Sequence, residues 1–370
     1  AGVMFIILRL LALSPWLALR WPLITVAAGT GALAGLGYTL LTGSEIPTVR
    51  SLLAALLVLL ALVLGREAMT LRLIAAGAMT VLLLWPEALV GPSFQLSFAA
   101  VIAIVAMHNQ PRIAAFFARR DEPLSRRLAR QLASLLLTGI AVELALMPIA
   151  LFHFHKTGVF GALANIIAIP LTTVVVMPAE ALAILLDGVG LGGPAWWVVD
   201  KSLGLLLAMA HAVAAAPGSV ATIPTMPTGS FVLMMAGGLW LLLWSGRGRL
   251  WGGALILPGV IWMMMTSAPD LLITGDGRHV AARAADGRYL LLRDRAGDFV
   301  RDTLSEAAGI DTVLEPLDAE ADVQCSADFC AWQMPRGRHN WSILAARSNY
   351  RTDWQALVTA CSQADIVIAE

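Results

Sequence analysis

The chain has 370 residues, 58% of them hydrophobic and 14% charged, with 25 basic and 25 acidic side chains and no net charge. A soluble domain carries roughly a quarter of its residues as charges, and surface scaling forces polar residues outward, so a mean hydropathy of +0.77 excludes a single water-soluble globule. The balance of charge also hides an asymmetry: residues 1–269 hold 15 basic and 9 acidic side chains, whereas residues 270–370 hold 10 and 16. This break divides the chain into a transmembrane domain, 1–268, and a soluble extracytoplasmic domain, 269–370.

Apolar runs stand at 3–19, 22–41, 51–65, 73–90, 94–108, 132–152, 159–186, 195–216, 230–244 and 250–267. A helix crosses the hydrocarbon with about 20 residues, so these runs predict a polytopic α-helical membrane bundle of about 8–10 spans. Trp16, Trp21, Trp85, Trp196, Trp197, Trp244, Trp251 and Trp262 lie near segment ends, as in an aromatic belt. Four groups of arginines set the orientation: Arg20; Arg66 and Arg72; the loop Arg112, Arg119, Arg120, Arg126, Arg127 and Arg130; and Arg247 with Arg249. If every run crosses once, all four lie on one side, which the positive-inside rule makes the cytoplasm. The last run then delivers the C-terminal domain outside. Run 159–186 holds Pro170 and Pro178 and reads as a broken or re-entrant helix lining a cavity, or as a plain kinked helix. Run 195–216 holds Asp200, Lys201 and His211 and either crosses or lies along the interface.

Beyond Pro269 the pattern changes to strands. Leu271–Thr274, His279–Ala284 and Arg288–Leu292 are separated by Asp276-Gly277 and Asp286-Gly287, favoured hairpin turns. Residues 298–308 and 352–363 read as helices, and 341–345 and 366–368 as strands, giving a small α+β domain. Cys325, Cys330 and Cys361 all lie here. A structural disulfide is expected from them rather than a metal site, since no His stands near Cys325-x4-Cys330, with free thiols as the alternative. The chain opens on Ala1 in an apolar stretch and closes on a strand-like run, so both ends read as internal to a longer protein, with the second domain truncated.

Polar residues inside the apolar runs are the candidates for function. Pro92 suits the first turn of a helix. Ser93, Gln95 and Ser97 follow it, either lining a pathway or bonding between helices. Glu143 stands in mid-segment and Glu180 late in its run, where an ionisable group needs a cavity or a partner. His153, His155 and Lys156 sit at a span end, as snorkelling residues or, less simply, as part of a metal site lacking a third ligand.

Taken together, several stretches resemble the ComEC family of bacterial competence proteins, inner-membrane channels for DNA uptake. Pro92-Ser93-Phe94-Gln95-Leu96-Ser97-Phe98-Ala99 is similar to that family's signature almost letter for letter. Thr42 to Arg50, with Pro47 and Arg50, resembles its short outer loop, and Asn165 with Pro170 resembles its Asn-x4-Pro stretch. The resemblance implies transport of single-stranded DNA across the bacterial inner membrane during natural transformation. Its partners would be the strand itself, membrane lipids, a periplasmic DNA receptor and a cytoplasmic helicase. The path would be lined by Ser93, Gln95, Ser97, Glu143 and Asn165, with Arg50 and Lys156 meeting phosphate at outer loops. Glu143 would repel phosphate and so is expected to pair with a basic residue. The family's C-terminal domain resembles a metallo-β-lactamase. Here no His-x-His-x-Asp-His appears in 270–370, so the expectation is a degenerate, non-catalytic relative with no cofactor. A small-solute or lipid-precursor transporter and a membrane-tethered metal-dependent hydrolase are the rival readings.

Overall fold

In a computed structural model the chain is described from residue 7 to residue 369, apart from positions 10, 14, 66–69, 119, 311–313, 321, 349, 351 and 352. The apolar runs become helices α1 (Leu23–Leu41), α2 (Ile46–Val63), α3 (Leu71–Leu84), α4 (Pro92–His108), α5 (Pro111–Phe117), α6 (Leu124–Phe154), α7 (Gly161–Asp187), α8 (Gly193–Ala214), α9 (Thr228–Leu243) and α10 (Trp251–Met265). Part of run 3–19 lies outside the described residues.

The expected 8–10 full crossings are not all of crossing length. Among the described residues five helices are long and apolar enough: α1, α6, α7, α8 and the stretch Arg247–Met265 that contains α10. A sixth is counted if α4 and α5, bent by 87° at their junction, form one span. The apolar part of α2 (Ser51–Val63), α3 and α9 are shorter. The shortening has local causes. Trp85-Pro86 ends α3, because the proline ring excludes the residue before it from helical geometry, and the rest of that run becomes a 3₁₀ turn, Pro86–Val90.

Run 159–186 is neither broken nor re-entrant: α7 continues through both prolines by widening. Leu171–Val176 forms a π-helical stretch, closed by the Met177 N–H donating to the Thr172 carbonyl. Thr172, Thr173, Val174, Val175 and Val176 are β-branched and crowd an α-helix. Pro178 has no N–H for the carbonyl four residues earlier. A wider turn relieves both, and such stretches concentrate at functional places in helices.

By contact density the chain forms two units, 1–149 with 161–206 and 239–249, and 150–160 with 207–238 and 250–370. In the second unit, β1 (Lys156–Gly158) pairs antiparallel with β2 (Val220–Thr222). Phe152 stacks on Phe231, with centroids 4.1 Å apart, and buried Ser230 of α9 donates its hydroxyl to the Gly259 carbonyl of α10 at 2.7 Å. The same unit holds the α/β region. Strands β3 (Leu271–Ile273), β4 (Val280–Arg283), β5 (Tyr289–Leu291) and β6 (Glu315–Pro316) form one sheet in that order. Strands β7 (Gln324–Cys325), β8 (Phe329–Arg336), β9 (His339–Ala346) and β10 (Ile366–Ile368) form a second, ordered β10-β9-β8-β7.

Alternation decides which residues meet. Val280, Ala282, Leu290 and Leu292 pack with Cys330, Trp332, Met334, Ile343 and Ala345 of the other sheet. The opposite face of the first sheet, Ala281, Tyr289 and Leu291, packs on Leu304 and Ala308 of helix α11 (Asp298–Ala308). The layers therefore run helix, sheet, sheet. Helix α12 (Trp354–Ser362) follows β9 and leads to β10, which pairs parallel to it.

Candidate functional site

The motif that opens α4 folds as its residues dictate. Gly91 is extended (φ −79°, ψ 139°) and Pro92 takes the first helical turn, where its missing N–H costs nothing. The Gln95 Nε2 donates to the Leu89 carbonyl at 2.9 Å, tying the helix to the preceding 3₁₀ turn. Ser93 and Ser97 are exposed and lie one turn apart, whereas Gln95 is half-buried on a different face. The three side chains thus do not form one polar seam. Ser97 borders a cavity of about 540 Å3 shared with Ser51, but its other walls are apolar, among them Leu57, Leu73, Phe98 and Val101. Phe94 is buried and packs on Phe98 with centroids 4.4 Å apart.

Glu143 has a partner, and it is not the basic residue expected. Its Oε1 accepts from the Gly161 N–H at 3.2 Å and its Oε2 from the Ala162 N–H at 2.8 Å. These are the first residues of α7, whose leading N–H groups have no intrahelical acceptor and carry the positive end of the helix dipole. Glu143 lies eleven residues before the end of α6, so α7 begins about 16 Å back along that helix at 1.5 Å per residue. A helix end buried there needs an acceptor from the protein, because hydrocarbon provides none. Gly139 makes the approach possible: a Cβ there would stand 3.0 Å from the Ala162 Cβ and 3.1 Å from its Cα. Among the described residues the carboxylate is met by backbone N–H groups and by no cation.

The other sequence candidates scatter. Asn165 lies on an exposed face of α7 with no hydrogen bond among the described residues. Pro47 takes an early position in α2, and the backbone of Arg50 follows in the second turn; nothing is described of either side chain. Lys156, expected to meet phosphate, is instead ion-paired through its Nζ with Glu306 of α11. Glu180 lies in the first turn after the π-helical stretch, with no ion pair among the described residues.

In the α/β region Cys325 and Cys330 form a disulfide across directly opposed positions of β7 and β8, and Cys361 carries a free thiol. Among the described residues no three His, Cys, Asp or Glu side chains converge in a way that would hold a metal. Thr274, Asp276 and His279 belong to the β3–β4 turn, where the Asp276 carboxylate accepts from the Thr274 hydroxyl and from the Arg278 N–H at 3.1 Å. Those bonds hold Asp276 below the usual carboxylate range, the hydroxyl contributing most.

A family profile described as competence protein matches residues 1–248, most of the helical region. The chain belongs to the competence protein family. It is a membrane protein, as the family and the apolar helices together require. A curated relative, the uncharacterized protein YcaI of Escherichia coli (strain K12), is 29% identical over 175 residues. That alignment covers 46% of this competence-family chain and 22% of YcaI, so the chain spans well under two thirds of that relative. No solved structure matches the chain, and the metallo-β-lactamase likeness expected of the α/β region is not shown by these comparisons.

The pairing of Glu143 with Gly161 and Ala162 was invisible in the sequence, since eighteen or nineteen residues and a ribbon separate the partners. A glutamate centred in an apolar run was the available signal. It showed that a partner must exist without naming it.

Proposed function

We propose that this chain is the membrane-embedded part of a DNA-uptake apparatus and conducts single-stranded DNA across the bacterial inner membrane during natural transformation. The observation that carries this reading is the family match over residues 1–248, which includes the Pro92–Ala99 motif at the start of α4. The π-helical stretch of α7 beside Asn165 supports it, because an irregular helix frees backbone carbonyls that a polar passage can use. The Cys325–Cys330 disulfide favours an outer location for the α/β region, since such bonds persist outside the cytoplasm.

In this reading Arg50 meets phosphate at the entrance, and Ser93, Ser97 and Asn165 offer polar contacts along the way. Gln95 and Glu143 position helices. Lys156 fastens the α/β region, which acts as a non-enzymatic vestibule for a strand delivered by a periplasmic receptor and drawn in by a cytoplasmic helicase. The test is transformation frequency in a strain whose own copy is deleted and replaced by Arg50→Ala or Asn165→Ala at normal protein level. A drop of tenfold or more is expected. Unchanged uptake by both variants, or by the deletion itself, overturns the proposal.

A further inference from the structure

The short helix α5 meets α4 at 87°, so with α4 crossing the bilayer α5 lies in the membrane plane. Its far end and the start of α6 enclose a cavity of about 480 Å3. Phe116, Phe117, Arg120, Arg127 and Arg130 line it, with Asp121 the one carboxylate among the lining residues. Two of the guanidiniums are held in place. Arg120 Nη2 donates to the Ala115 carbonyl at 3.0 Å. Arg130 Nη1 donates to the carbonyls of Phe116 (3.2 Å) and Ala118 at the end of α5.

Neither arginine is used up, since a guanidinium has five donors in a fixed fork. The Arg130 side chain is 16% exposed, and its Nε lies 3.2 Å from the Glu122 carboxylate, yet that buried nitrogen has no aligned hydrogen bond. Arg127 lines the same cavity.

We propose that this cavity binds the phosphodiester headgroup of an anionic membrane phospholipid, with the arginines on the phosphate and Phe116 and Phe117 against the first carbons of the acyl chains. The placement favours lipid over a polynucleotide: an in-plane helix ending in two phenylalanines sits where headgroup meets hydrocarbon. Three guanidiniums, partly offset by Asp121 and by Glu122 on Arg130, leave a net positive charge beside that level that suits a single phosphodiester, and the guanidinium fork suits its two oxygens. The proposal needs only that α4 and α6 cross the membrane and is independent of the DNA-uptake reading.

The experiment is a titration of the full chain, purified in a neutral detergent, with phosphatidylglycerol and separately with phosphatidylcholine, bound lipid being counted by native mass spectrometry. Phosphatidylglycerol should bind at least tenfold more tightly. Arg127→Gln should weaken it about fivefold and Arg120→Gln/Arg127→Gln about twentyfold, with phosphatidylcholine binding and the thermal midpoint unchanged, and Arg127→Lys should keep most of the preference. Equal binding of the two lipids, or a preference untouched by the double variant, overturns the proposal. So does a twenty-nucleotide oligothymidylate that displaces the lipid and binds the same arginines more tightly, which would make the cavity a nucleic-acid site.

Discussion

The helical and the α/β regions are both rich in apolar side chains, yet they dispose of them in opposite ways. In the most apolar windows of α6, α7 and α8 only 11% of residues are buried by protein. In the α/β region every residue of β5 is buried, and Val280, Ala281 and Ala282 of β4 are at most 3% exposed. Lipid solvates the first set and protein the second. Polar contacts are therefore few and decisive among the helices, where an orphaned backbone group finds no water. In the α/β region they are numerous and each is worth little, because exposed pairs are screened. Glu143 on the start of α7 represents the first kind, and Lys156 on Glu306 the second.

Substitutions at five positions sharpen that contrast. Gly309 should be the most sensitive position. It caps α11 at φ +73°, and a Cβ there would stand 2.5 Å from the Pro224 nitrogen. Gly309→Val is expected to cost about 4 kcal/mol, read as early proteolysis of residues 270–370 in an otherwise intact chain. Glu143→Ala leaves two N–H groups at the start of α7 without acceptors and should cost about 3 kcal/mol in detergent unfolding. Glu143→Gln, which keeps one good acceptor, should recover about half; equal loss in both variants would show that charge alone matters. Ser230→Ala removes one interhelical bond and should cost about 1 kcal/mol. Lys156→Met should shift stability by less than about 0.5 kcal/mol, because the lysine side chain is 48% exposed.

The smallest effect concerns pH. Burial holds the His155 imidazole below its usual range of about 6.5, against a weaker upward pull from the Glu306 carboxylate and with a further lowering from His153. The unfolded chain then takes up the proton first, so the contribution is present above about pH 6.5 and is lost as pH falls through the lower folded value. A modest fall in thermal midpoint between pH 7.5 and 5.5 is expected, and it should vanish in His155→Asn. A midpoint that rises on acidification would contradict the burial argument.

Much of this was legible in the sequence. Hydropathy located the helical runs, and the Asp-Gly dipeptides located the β3–β4 and β4–β5 turns, since both signals are local. The alternation of Cys330, Trp332 and Met334 also marks β8 in the sequence. Other features were not legible. The widening of α7 depends on how a β-branched run and Pro178 share one helix. Ribbon β1–β2, three residues a side, carries too short a pattern to stand out. The partners of Glu143, Lys156 and Arg130 lie 8 to 150 residues away in the chain.

By itself, then, the sequence determined that this is a membrane protein of the competence family with a charged α/β appendage, because solvent preference is summed residue by residue and a motif is read in line. Only the tertiary structure decided what each polar group inside the apolar runs does. A buried charge takes whatever donor the fold brings within about 3 Å, and proximity in space is set by the packing of whole helices rather than by neighbours in the chain.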